Sequence, residues 1–293
     1  MRAIEQRGRT FDAVVHPNHY APFAGIVDKA AFDTAWQQHP DWVFAHMSHA
    51  AYCGETYLNE LFAPFGAKIT FYSNQASEHG VIRGSQAYLA VWDDKAILAF
   101  RGTEADEALM LNLEHGTLEH GFIGRLLSDH VPDPIKLPFV PTDIVDDLDF
   151  LPFRYKEGGG ESQLHRGFYK ATTRIWPAIA ADLEELVLPE ASQLYVTGHS
   201  LGAAMAVVAG LMHPFKRIVT FGEPSVGNHL DNTLTPGCEH MRYVNGNDPV
   251  TKIVPKALYR HHGMEQKIED IDGADMRYDH SIINYACILA PGD

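Results

Sequence analysis

Apolar positions along the chain follow two periods, and the switches between them mark out its elements. Between residues 28 and 38, Ala31, Phe32, Ala35 and Trp36 form one stripe, which predicts a helix. From Pro40 a second helix is predicted. Val43, Phe44, Met47, Ala50, Ala51, Leu58, Leu61 and Phe62 recur at three or four, up to Pro64 and Gly66. From Lys68 the period becomes two. KITFYS, QAYLAVW and AILAF read as strands, with Asp93-Asp94 as a hairpin turn between the last two. Residues 143–155 read as a further strand, and Leu164-His165-Arg166-Gly167-Phe168 leads into a helix of about twenty residues ending near Val187. An apolar run at 194–197 is followed by a small-residue helix at 203–209, then by the strands RIVTF (217–221) and HMRYV (240–244). Residues 259–268 suggest a late hairpin. The final helix is predicted from near Asp279-His280, burying Ile282, Ile283, Tyr285, Ala286 and Leu289.

Strands alternate with helices, without internal repeats or a long linker. Residues 1–293 therefore read as one α/β domain with a mostly parallel sheet, made mixed by the early antiparallel hairpin. Two stretches stand apart. Residues 1–27 have no period and read as a loop-like arm punctuated by Pro17, Pro22 and Gly25. Residues 105–142 carry Leu118, Phe122, Ile123, Leu126 and Leu127 at helical spacing, with Glu119, His120, Arg125 and Asp129 off that face. Pro132, Pro134, Pro138 and Pro141 follow. A long insertion with an apolar amphipathic piece is what a lid over a site needs. An ordinary packed helical insertion is the alternative.

Composition narrows the partners. The 293 residues have a formal net charge of −15, which argues against nucleic acid and against attraction to anionic membranes. No apolar run is long enough to predict a transmembrane segment. The first twenty residues lack the apolar core of a signal peptide, so the chain is expected to stay inside the cell, leave by another route, or be a mature form. Cys53, Cys238 and Cys287 are far apart and imply no disulfide framework, although one bridge stays open. The seventeen histidines show no H-x-x-x-H or H-E-x-x-H spacing, so neither metal nor cofactor is expected.

The candidate chemistry lies between the run at 194–197 and the small-residue helix. Gly198-His199-Ser200-Leu201-Gly202 is a G-x-S-x-G turn joining strand to helix, the setting of a nucleophile elbow. Such a turn lifts the serine clear of the backbone and aims the N–H of Leu201 where an oxyanion would form. A glycine-rich turn before a core helix is the bland alternative. A serine hydroxyl needs a base, and the base needs a carboxylate to hold its tautomer. In this type of site the chain order is serine, acid, histidine. Asp248 fits the acid, because it follows HMRYV and precedes Pro249, which has no N–H. His280 fits the base, past the last strand at the mouth of the final helix. Asp231, Asp270, Asp272, Asp275 and Asp279 also lie between Ser200 and His280, and Asp279 is expected to cap the last helix. His261 and His262 sit in strand-like YRHHG, with less freedom to reach the serine. The strand ending in Phe100-Arg101-Gly102-Thr103 offers a second oxyanion donor.

In order along the chain, FRGT (100–103), LHRGF (164–168), VTGHSLGAA (196–204), TFGEPSVGN (220–228), RYVNGNDPVTKIVP (242–255), YRHHG (259–263) and DHSIINY (279–285) resemble the class 3, fungal-type lipases of the α/β-hydrolase superfamily. The resemblance covers roughly residues 70–290. It implies an α/β-hydrolase fold and a serine ester hydrolase, foremost a triacylglycerol lipase at a lipid–water interface. It implies Ser200 as nucleophile, Asp248 as acid, His280 as base, and the N–H groups of Thr103 and Leu201 as oxyanion hole. His165 and His261 match non-catalytic positions, and the lid falls at about 105–142. A phospholipase A1, a short-chain carboxylesterase and an inactive lipase-like binding module are the alternatives. The segment between FRGT and LHRGF is longer than in compact fungal members, and Glu223 stands where glutamine is more usual. Residues 1–67 carry no family motif that decides anything.

Overall fold

In each central strand, alternate side chains go to opposite faces, and both sets are apolar. Leu98 and Phe100 point to one face while Ile97 and Ala99 point to the other; Val196 and Ile218 oppose Tyr195 and Val219 in the same way. A sheet built from such strands must be covered on both sides.

The computed structural model describes residues 22–74, 76–78, 81–92, 94–102, 152–155, 162–186, 193–230, 234–252, 254, 259–268 and 279–291. Its first helices are α1 (Lys29–Gln38), α2 (Pro40–Ala50) and α3 (Glu55–Phe62). Strands β1 (Lys68–Ser73), β2 (Ala76–Glu78), β3 (Val81–Arg83), β4 (Gln86–Val91) and β5 (Ala96–Phe100) follow. After β6 (Pro152–Tyr155) and β7 (Ser162–His165) come α4 (Arg166–Thr173) and α5 (Trp176–Glu185). The chain continues through β8 (Leu194–His199), α6 (Leu201–Met212), β9 (Arg217–Phe221), β10 (Gly227–Asn228), β11 (Glu239–Asn245), β12 (Met264–Ile268) and α7 (Ile282–Ile288).

Seven strands form the main sheet in the order β1-β4-β5-β8-β9-β11-β12. The pairs β1/β4 and β4/β5 are antiparallel, and those from β5 to β12 are parallel. Helices α4, α5 and α6 cover one face with a core that includes Phe168, Ile179 and Val207. The other face is covered by α1, α2, α3 and α7, through Phe32, Phe44, Leu58, Phe62 and Ile283. The described residues before Lys68 therefore contribute to one of the two cores rather than forming an appendage. Polar ties fasten them as well. Asp41 accepts from Arg217 and, at 2.6 Å, from the Tyr243 hydroxyl, and the Ser48 and Thr197 hydroxyls meet at 2.8 Å. Helix α6 is buried from Gly202 to Leu211 because its many small residues let it lie close to the sheet.

Three expectations are corrected. The stretch 40–62 is two helices, because the chain turns at 51–53 and Gly54 is extended at the N-cap of α3. The long helix after Phe168 is also two. It is interrupted at Arg174 and Ile175 because Pro177, in the first turn of α5, has no N–H to continue it. MEQKI is no hairpin arm: β12 pairs in parallel with β11, Met264 opposite Met241, so the chain crosses back before it joins the sheet edge. The segment 105–142, expected to form a lid, lies outside the described residues, as do 1–21 and most of 143–155. Among the described residues no helix is long and apolar enough to cross a membrane. The Cys53 and Cys238 thiols are free.

Candidate active site

Strand β8 ends at His199 and α6 begins at Leu201, so the whole change of direction falls on Ser200. Its φ of 59° and ψ of −126° are unfavourable for a residue with a side chain. A residue held this way stores about 1–3 kcal/mol of strain, which the surroundings must offset. The Ser200 N–H donates to the Phe221 carbonyl at 3.0 Å, and the Ser200 carbonyl accepts from Ala203 at 3.0 Å. Both glycines of the turn are forced by contact. A β-carbon on Gly198 would collide with the Gly202 carbonyl, and one on Gly202 with the Phe100 carbonyl.

Two further elements converge on Ser200. His280 comes from the approach to α7, and its Nε2 lies 3.0 Å from Ser200 Oγ. Asp248 comes from the turn after β11, and both its oxygens lie 3.0 Å from His280 Nδ1. An ionised carboxylate only accepts, so the imidazole proton facing it sits on Nδ1. In the neutral ring Nε2 is then bare and accepts from the serine hydroxyl. All three side chains are buried, Asp248 completely.

The Asp248 carboxylate has two further donors, the Val250 N–H at 2.9 Å and the Tyr285 hydroxyl at 2.7 Å. Burial first, and then the charge of Asp248, push the Tyr285 hydroxyl well above its ordinary range, so it stays a donor. The turn itself is braced from behind. Thr251 Oγ1 donates to the Asp248 carbonyl at 2.8 Å, and His261 Nε2 donates to the Thr251 carbonyl at 2.8 Å. Gly222, at φ 59°, presses on the pair: a β-carbon there would stand 2.6 Å from Asp248 Oδ2 and 3.0 Å from His280 Nδ1.

The rivals among the described residues have other partners. Asp279 does not cap the last helix, whose N-cap is Ser281. Its carboxylate instead accepts the Asn247 N–H at 2.7 Å, and its carbonyl accepts Asn245 Nδ2 at 3.2 Å, which fastens the turn leading to Asp248. The capping expectation fails because the helix starts at Ile282, with Ser281 in the N-cap position, while the Asp279 carboxylate is engaged by the Asn247 N–H. Asp231, Asp270, Asp272 and Asp275 lie outside the described residues. His262 Nε2 donates to the Gly227 carbonyl at 3.1 Å. Leu201 is the first residue of α6, where helix N–H groups have no intrahelical acceptor. Thr103 lies outside the described residues, and Gly102 before it packs against Ser200 and the Tyr52 hydroxyl. Among the described residues no group of three or more His, Cys, Asp or Glu side chains is arranged to hold a metal ion.

Sequence reasoning missed Tyr285, Gly222 and Tyr52 as members of this site. Tyr285 had a signal, five residues after His280 in DHSIINY. Tyr52 had none, because only the folded chain brings it near.

Known proteins share this arrangement of chain. The family described as lipase (class 3) matches residues 140–258. Toxin TseL of Vibrio cholerae is 28% identical over 181 residues, covering 58% of this chain and 28% of the toxin. The secreted mono- and diacylglycerol lipase 1 of Fusarium solani is 33% identical over 133 residues, 41% of this chain and 37% of that protein. In structure, lipase II from Rhizopus niveus superposes with a TM-score of 0.52 at 21% identity, over 80% of this chain and 81% of that one. Over these parts the chain resembles the class 3 lipases. Its fold is that of the α/β-hydrolases. The matched regions span about a third of the length of the two curated relatives named, or less.

Glu223, which stands where the resemblance leads one to expect glutamine, has a physical explanation. It is buried and accepts from Thr220 Oγ1 at 2.6 Å and His240 Nε2 at 2.8 Å. Burial acts to raise its carboxyl, but His240, Arg242 and His261 together hold it below the usual carboxylate range. A glutamine there would leave the Arg242 charge without this buried counter-charge.

Proposed function

We propose that this chain is a serine hydrolase of carboxylic esters, acting on acylglycerols through an acyl-enzyme within one α/β-hydrolase domain. The observation that carries the reading is the buried line from Ser200 Oγ through His280 to Asp248, with each step at 3.0 Å. Ser200 attacks the ester carbonyl as its proton passes to His280 Nε2. The tetrahedral oxyanion is met by N–H donors at Leu201 and Thr103, each donor contributing roughly 3–4 kcal/mol. Collapse expels the alcohol, which takes the proton from His280. Water, deprotonated by the same imidazole, then releases the fatty acid and restores Ser200. Asp248 holds the Nδ1 proton and stabilises the imidazolium. No metal or organic cofactor enters. The acylglycerol substrate is argued from the relatives, one of them a mono- and diacylglycerol lipase.

A fluorophosphonate probe tests the reading. One label per chain, mapped to Ser200, is expected, together with hydrolysis of tributyrin and olive oil above that of phosphatidylcholine. No label on Ser200 would favour an inactive binding module. Preference for phosphatidylcholine would make the chain a phospholipase A1, and tributyrin alone a short-chain esterase.

Gly222 supplies a second check. Alanine there combines left-handed strain of about 1–2 kcal/mol with a β-carbon pressed into Asp248 Oδ2. Displacing the acid by a fraction of an ångström is expected to lower kcat by roughly 100-fold. A Gly222→Ala enzyme with wild-type kcat would mean that the Asp248–His280 contact does not limit the reaction.

A further inference from the structure

Tyr52 lies in the turn after α2, far from Ser200 in sequence, yet its hydroxyl stands 2.8 Å from His199 Nδ1. His199 is completely buried at the end of β8, next to Ser200. Its other ring nitrogen, Nε2, lies 2.7 Å from the backbone carbonyl of His280. A carbonyl only accepts, so Nε2 carries the hydrogen. Burial first, and then the neighbouring His280, keep His199 well below its ordinary range, so the ring is neutral. Its Nδ1 is therefore a bare lone pair, and Tyr52 donates to it. The bonds run in one direction: Tyr52 O–H to His199 Nδ1, then His199 Nε2–H to the His280 carbonyl.

We propose that Tyr52 is a positioning residue that, through the imidazole of His199, fixes the backbone of His280 and so the line of its ring to Ser200. The inference rests on reading Ser200, His280 and Asp248 as the catalytic triad. Two consequences of the geometry support it. With Nε2–H on the His280 carbonyl, the Tyr52 hydroxyl gives the bare Nδ1 a donor, so both ring nitrogens of this buried imidazole are paired. The His199 and His280 rings lie 4.5 Å apart, so a neutral His199 also avoids opposing the imidazolium formed during catalysis. The same hydroxyl packs against Gly102, where a β-carbon would collide with it, so Tyr52 also abuts the strand end leading to Thr103.

Two measurements test this. In the wild-type protein, nitrogen-15 NMR of the histidines should show His199 as the Nε2–H tautomer between pH 6 and 8. Tyr52→Phe removes only the hydroxyl, and the expected result is a fall in kcat of about tenfold with KM for a soluble ester within twofold. Fluorophosphonate labelling of Ser200 should slow in parallel. An Nδ1–H tautomer in the wild type would overturn the proposal, as would unchanged kcat and labelling rate in Tyr52→Phe or a change confined to KM. If Tyr52→Phe does not fold, the wild-type tautomer decides. Failure of the triad reading looks different: Ser200→Ala would keep its activity, while the His199 tautomer could still be read.

Discussion

Ser200→Ala is expected to lower kcat on p-nitrophenyl esters by roughly 10⁶-fold, with the residue that remains coming from the oxyanion donors and substrate binding. Asp248→Asn should cost roughly 10⁴-fold, for a reason specific to this site. The carboxylate accepts from three donors: the Val250 N–H, the Tyr285 hydroxyl and His280 Nδ1. An asparagine has one acceptor oxygen and an amino group that only donates, so it cannot serve all three. If the amino group faces His280, Nδ1 must become the acceptor and the proton moves to Nε2, where it blocks transfer from Ser200. Asp279→Asn keeps an acceptor for the Asn247 N–H and should cost less than about tenfold. Steady-state kinetics on the three purified, folded variants checks the order. Activity retained by Ser200→Ala, or a larger loss at Asp279 than at Asp248, would overturn the assignment.

Acid should destabilise the fold well before the carboxylates protonate. His46 and His49 on α2 are buried as neutral rings, with burial the main cause, and are lowered to about 3 and about 4. In His46 the bare Nδ1 accepts the Phe23 N–H at 3.0 Å, a bond that a proton there would break. The unfolded chain takes up protons at both rings near pH 6.5, while the folded chain does not. Their stabilising effect is complete above that pH and is lost as pH falls towards the folded values. Each ring removes about 1.4 kcal/mol per pH unit, so the pair costs about 4 kcal/mol at pH 5. That is a large share of the 5–15 kcal/mol typical of a whole domain. His199 acts in the same direction, and Glu223, lowered in the folded state, adds to the loss below the ordinary carboxylate range. Urea midpoints from pH 8 to pH 5 should fall steeply below about pH 6.5. A flat midpoint across that range would show that these rings are not held neutral.

Apolar runs alone were enough to mark β4, β5 and the helix after Ser200, because elements covered on every side are apolar along their length. The order of short motifs also singled out Ser200, Asp248 and His280 as candidates. Periodicity says which face a side chain takes but not which strand lies beside it, and so MEQKI read as a hairpin although it pairs with β11 across the sheet. Nor does it register a turn made by backbone conformation, which hid the breaks at Gly54 and before Pro177. The meeting of the candidate side chains, at 3.0 Å each, depends on three loops delivered by separate strands and on glycines whose missing side chains allow the approach. Tyr285, Gly222 and the line from Tyr52 through His199 belong to that level too. They are separated from their partners by up to 147 residues of chain, and hydrogen bonds across such a distance have no local signature in the order of amino acids.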